Sequence, residues 1–120
     1  MAEDRLTFKQ MCARFDVTPR TLRHYEYIEL LSPDREGRAR FYRPRDVARM
    51  TLILRGRRFG FSLEEIRQWL EIYDQGDGWE GQRDVWIAKA NEQLEELRAR
   101  RAELDEIITE LEDLRDASAK

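Results

Sequence analysis

Four side chains able to donate to phosphates and base edges fall within five consecutive residues: Arg20, Thr21, Arg23 and His24. Thr18 is a helix N-cap type and Pro19 suits the first helical position, so a short helix begins just before them. Leu22 and Ile28 supply its apolar anchors and point inward, which turns the arginines outward; Tyr25 adds a phenol. Guanidinium, hydroxyl and imidazole donors on one exposed helical face match what a major groove offers, because guanine and phosphate both accept bidentate contacts from arginine. The plain alternative is a solvated amphipathic helix with no partner. The rest of the chain decides between them.

The net charge of −3 over 120 residues hides a division. Residues 1–70 hold 15 Lys/Arg against 10 Asp/Glu, whereas residues 71–120 hold 7 against 15. A basic front and an acidic back confine any nucleic-acid contact to the front. Nineteen of the 22 cations are arginine, the residue suited to planar, bidentate recognition. With one cysteine, Cys12, the chain forms no internal disulfide and no multi-thiolate metal site. No apolar run approaches the ~20 residues of a membrane span and no signal-peptide pattern opens the sequence, so a cytoplasmic protein is expected.

The elements that position the arginines are legible from caps and periodicity. Thr7 and Gln10 fit a capping box, and the helix they open presents Phe8, Met11, Cys12 and Phe15 to a core. A tight turn at Phe15-Asp16-Val17 joins it to the arginine-bearing helix, which gives a helix-turn-helix ended by Ser32-Pro33. The Asp34–Gly37 turn cluster and the alternating Arg38-Ala39-Arg40-Phe41-Tyr42 read as a small β-hairpin. A third helix runs from Pro44 to about Phe59, stopped by Gly60, and Ser62-Leu63-Glu64-Glu65 caps a fourth. The glycine-rich stretch from Gln75 to Gly81 marks a linker. Beyond it Ile87, Ala90, Leu94, Leu97, Leu104, Ile108 and Leu111 recur three and four apart, interrupted by Arg101. That is a coiled-coil seam, and one helix with such a seam needs a second copy.

Taken together, Thr18–Glu26, Ile28–Leu31, Arg40-Phe41-Tyr42 and Arg57–Ile66 resemble the MerR family of bacterial transcription regulators. The resemblance implies a mainly α winged helix-turn-helix domain over residues 5–74, with a small β-hairpin wing. A linker at 75–81 and an antiparallel coiled-coil dimerisation helix at 82–116 follow. It further implies that Thr18, Arg20, Thr21, Arg23, His24 and Tyr25 face the major groove. Arg38, Arg40 and Tyr42 correspond to a first wing, and Arg57, Arg58 and Ser62 to a second. Double-stranded promoter DNA and RNA polymerase are the implied partners, with binding as a homodimer to a palindromic site that is distorted, for repression or activation. Asp16 stands where many members have Gly, Arg43 where a Ser or Thr usually caps the third helix, and His24 where an aromatic is usual. His24 suits either a phosphate contact or a neutral packing role.

Cys12 reads as a small core residue rather than a sensor, since no partner thiol lies near it. Metal-sensing members carry clustered cysteines after the long helix, and none follows here. Arg35-Glu36-Gly37, Leu52–Gly56 and Ile72-Tyr73-Asp74 look most like the short subgroup that regulates branched-chain amino acid and acyl-CoA catabolism. A small organic effector, or none, is therefore expected, with no cofactor and no metal. Trp69 and Trp86 read as packing residues, and Trp79 as a cover for a small apolar pocket; together these tryptophans are the candidate effector site. The competing function is a coiled-coil interaction module whose DNA-binding face is vestigial. An enzyme is disfavoured, because the sequence shows no nucleophile–base pair, ligand cluster or phosphate-binding glycine loop.

Overall fold

A computed structural model describes residues 4–74 and 80–120 of the chain. The first of two compact units, Met1–Gly76, contains β1 (Leu6–Thr7), α1 (Phe8–Phe15), α2 (Pro19–Tyr27), β2 (Asp34–Glu36), β3 (Ala39–Tyr42), α3 (Pro44–Phe59) and α4 (Leu63–Asp74). The second, Asp77–Lys120, contains α5 (Glu80–Ser118). The fold is mainly α: a helix-turn-helix with a small antiparallel wing, and a long C-terminal helix.

Each of the first helices starts as the sequence requires. Thr7 Oγ1 accepts from Gln10 N at 3.1 Å while Gln10 Oε1 accepts from Thr7 N at 2.9 Å, closing the capping box. Asp16 ends α1 at φ 52°, the left-handed region in which its short side chain is tolerated. Thr18 Oγ1 accepts from Thr21 N at 3.1 Å and opens α2 ahead of Pro19. The Ser62–Glu65 box opens α4 by the same reciprocal pair, at 2.9 and 3.1 Å. At α3, Arg43 makes no side-chain cap bond. Asp46, one turn in, is buried and accepts from Ser32 N at 3.4 Å, and burial raises its pKa.

Two features differ from the sequence expectation. Helix α2 stops at Tyr27 rather than continuing to Leu31, and Glu29 turns the chain at φ 65°. That turn sends Leu30 and Leu31 into the core, where both are buried. The wing has three strands in the order β1-β3-β2, since Leu6 and Thr7 pair with Tyr42 and Phe41. A two-residue strand has no periodicity to reveal it.

The core of this unit is built on Met11, Leu22, Leu30, Tyr42, Met50, Ile53, Ile66 and Leu70, all fully buried. Gly56 lets α3 and α4 approach, for a Cβ there would lie 2.8 Å from Ile66 Cγ1 and 3.6 Å from Trp69 Cζ3. In α5 the apolar residues Ile87, Leu94, Leu104, Ile107, Ile108, Leu111 and Leu114 are exposed.

Candidate nucleic-acid interface

Helix α2 sorts its residues by face. Leu22 and Tyr25 are buried, and on the opposite side Arg20, Arg23, His24 and Tyr27 share the i, i+3, i+4, i+7 stripe and are exposed. Tyr25, expected among the groove-facing groups, is 6% exposed; its ring fills the core and presents nothing to a groove. Tyr27, on the exposed stripe, is 85% exposed. Seven residues after Arg20 is two helical turns, so the period of the helix was the signal for Tyr27 that the motif obscured. Thr18 and Thr21 are committed to the cap, their hydroxyls 3.0 Å apart.

The carboxyl end of α2 is held from below. Arg49 Nε donates to Leu30 O at 2.9 Å, and an Arg67 guanidinium nitrogen donates to Ile28 O. Two basic side chains thus occupy carbonyls that follow the last turn, where cationic partners are favourable. Arg49 also pairs with Asp74 at 2.6 Å, alongside Arg45 at 3.1 Å.

The wing hairpin turns through Gly37-Arg38, between the paired residues Glu36 and Ala39. Gly37 has φ 64°, the first central position of a two-residue hairpin loop at positive φ. Arg38 stands exposed at the tip. Acidic groups on β2 are already matched: Arg5 Nη1 lies 3.2 Å from Asp34 and 2.7 Å from Glu36, and Arg43 Nε lies 2.8 Å from Asp34. Arg43, then Arg5, hold the Asp34 carboxyl below the usual range.

Arg40 and Tyr42 depart from the expected wing contacts. Tyr42 is fully buried, and its hydroxyl donates to Glu26 of α2 rather than facing outward. Burial first, and that bond second, push its pKa well up, so it remains a neutral donor. Arg40 Nε lies 2.8 Å from Glu26 Oε1, and its side chain is only 24% exposed. Arg57 and Arg58 occupy the last turn of α3 and are exposed, with Ser62 capping the next helix. Among the described residues the exposed Arg20, Arg23, Arg38, Arg57 and Arg58 form no ion pair, so their guanidiniums are available to an anionic partner.

Cys12 is half-buried, and burial raises its thiol pKa, partly offset by Arg23. Trp69 flanks Gly56 and Trp86 is half-buried on α5; Trp79 lies outside the described residues. Among the described residues no three His, Cys, Asp or Glu side chains gather as a metal-binding group, and no helix is long and apolar enough to cross a membrane.

A helix-turn-helix with exposed arginines on its second helix and an arginine-tipped wing defines a winged DNA-binding protein. A family model described as MerR HTH family regulatory protein matches residues 6–72, and one described as MerR, DNA binding matches residues 47–114. The HTH-type transcriptional regulator ZntR of Escherichia coli K12 is 36% identical over 104 residues, 85% of this chain and 72% of that one. A MerR family transcriptional regulator from Bacillus cereus superposes with a TM-score of 0.74 at 26% identity, over 91% of this chain and 78% of that one. HiNmlR, a MerR family regulator lacking the sensor domain and solved bound to promoter DNA, shares the fold with a TM-score of 0.67 at 21% identity. It is covered over 78% of its length, and this chain over 87%. The chain belongs to the MerR family. It is a DNA-binding transcriptional regulator and not an enzyme.

Proposed function

We propose that the chain reads a palindromic promoter site as a homodimer through Arg20, Arg23, His24 and Tyr27 of α2. Arg38, Arg57 and Arg58 supply phosphate contacts on either side. The observation that carries this is the division of α2 itself, donors exposed along one stripe and Leu22 and Tyr25 buried on the other. Dimerisation falls to α5, whose Ile87, Leu94, Leu104, Ile108 and Leu111 expose an apolar heptad stripe that water disfavours. Ala90 and Leu97 complete the seam and are half-buried. Two copies of α2 then address successive major grooves and distort the intervening duplex, with RNA polymerase at the same promoter.

The effector of this reading is a small organic molecule of acyl type, in keeping with the motif likeness to the regulators of branched-chain amino acid and acyl-CoA catabolism. A thiolate sensor needs several soft ligands, and Cys12 is the single thiol, with its pKa raised by burial. Trp69 and Trp86 are the reporters for such a ligand.

Selection of duplexes from a random library by the full chain tests the reading. Recovery of an inverted repeat, bound more weakly as salt rises, is expected. Recovery of no preferred duplex at low salt favours the coiled-coil interaction module instead. Tight stoichiometric binding of a thiophilic metal overturns the choice of effector.

A further inference from the structure

Glu26 is the one acidic residue of α2. Its side chain is 4% exposed although it sits on the helix assigned to DNA. A carboxylate so buried is costly to desolvate unless charges and donors meet it. All the partners it finds come from the wing hairpin. Tyr42 O–H on β3 donates to Oε2, and Arg35 Nη2 on β2 approaches Oε1 at 3.5 Å. Arg40 Nε on β3 reaches Oε1 at 2.8 Å, a close ionic contact without the alignment of a hydrogen bond. Arg40 is further engaged by Phe8 of α1, its guanidinium carbon 5.3 Å from the ring centroid, and Arg23 lies 5.2 Å from the same ring.

The consequence is electrostatic. Every arginine that reaches a phosphate strengthens binding to all duplexes alike and steepens the salt dependence, without reading a base. On a surface that already exposes Arg20, Arg23, Arg38, Arg57 and Arg58 without an ion pair, further free guanidiniums would raise the sequence-independent background. We propose that Glu26 is a specificity-setting positioning residue: its carboxylate withdraws Arg40 from the phosphates, tethers the more exposed Arg35 at 3.5 Å, and fixes the wing against α2. Preference for one duplex then rests on base contacts rather than surplus charge. This rests on the assignment of α2 as the DNA-reading helix.

Glu26→Gln keeps the side-chain size and an acceptor for Tyr42 while removing the charge that holds both guanidiniums. The probes are a duplex selected by the wild-type chain and a scrambled duplex of equal length, titrated by fluorescence anisotropy across salt concentrations. Affinity of Glu26→Gln for the scrambled duplex is expected to rise by about three- to ten-fold, and the salt slope to steepen by about one to two. The selected-to-scrambled ratio falls. Glu26→Gln combined with Arg40→Gln gives back part of the added slope. A loss of affinity for both duplexes at unchanged slope, in a folded variant, makes Glu26 merely structural and overturns the proposal. Arg40→Gln alone decides the matter if Glu26→Gln does not fold. A sequestered Arg40 leaves the wild-type slope nearly unchanged, whereas a phosphate-bound Arg40 loses about 0.9. A wild-type preference that survives Arg20→Ala would count instead against α2 as the reading helix.

Discussion

Glu29 carries the clearest strain in the DNA-binding unit, a long side chain held at φ 65° where the chain leaves α2. An L-residue other than Gly, Asn or Asp pays roughly 1–2 kcal/mol for that conformation. Glu29→Gly removes the clash and adds unfolded-state entropy in return, so a net gain of about 0.5–1 kcal/mol is expected. A higher urea midpoint at unchanged m-value checks it. Asp16, at φ 52°, gives a smaller gain on the same change, because a short polar side chain already tolerates that region. Which α2 residues are exposed was partly legible in the sequence. Arg20, Arg23 and His24 follow from helical spacing, whereas the motif points to Tyr25 where the helical period points to Tyr27. The role of Glu26 was not legible at all, since its partners Tyr42, Arg40 and Arg35 lie 9–16 residues away across a hairpin.

Elements were more legible than residues wherever their ends carry chemistry. Thr7 with Gln10, Thr18 with Pro19, and Ser62 with Glu65 mark three helix starts, and Gly60 at φ 93° marks the stop of α3. The end of α2 was not legible, because Ile28, Leu30 and Leu31 continue an apolar pattern while the backbone turns at Glu29. The packing role of Gly56 was not legible for a related reason: within a helix, a glycine demanded by its neighbour looks like a weak helix former. Its Cβ position, 2.8 Å from Ile66 Cγ1, predicts that Gly56→Val forces α3 and α4 apart and costs about 1–3 kcal/mol. Thermal unfolding then falls by about 4–8 °C per kcal/mol for a unit of this size. A melting temperature at or above that of the wild type would show that the α3–α4 contact adapts freely.

At the scale of the whole molecule, charge and apolar pattern divide the labour between the two units. The basic excess lies in residues 1–70, and residues 71–120 pair an acidic surface with an exposed heptad stripe on a 39-residue helix. Leu97→Glu places a carboxylate in that stripe, so the proposed dimer should dissociate in sedimentation equilibrium while circular dichroism keeps the signal of the helix-turn-helix unit. Dimers of unchanged affinity would remove α5 as the seam. Specific binding rests on α2 reading base edges, and one comparison addresses it: the ratio of affinities for a selected and a scrambled duplex, measured for the wild type and for Arg20→Ala at one salt concentration. Loss of a base contact worth about 1–3 kcal/mol lowers that ratio by roughly five- to 150-fold while affinity for the scrambled duplex changes far less. An unchanged ratio would contradict the assignment of α2 as the reading helix.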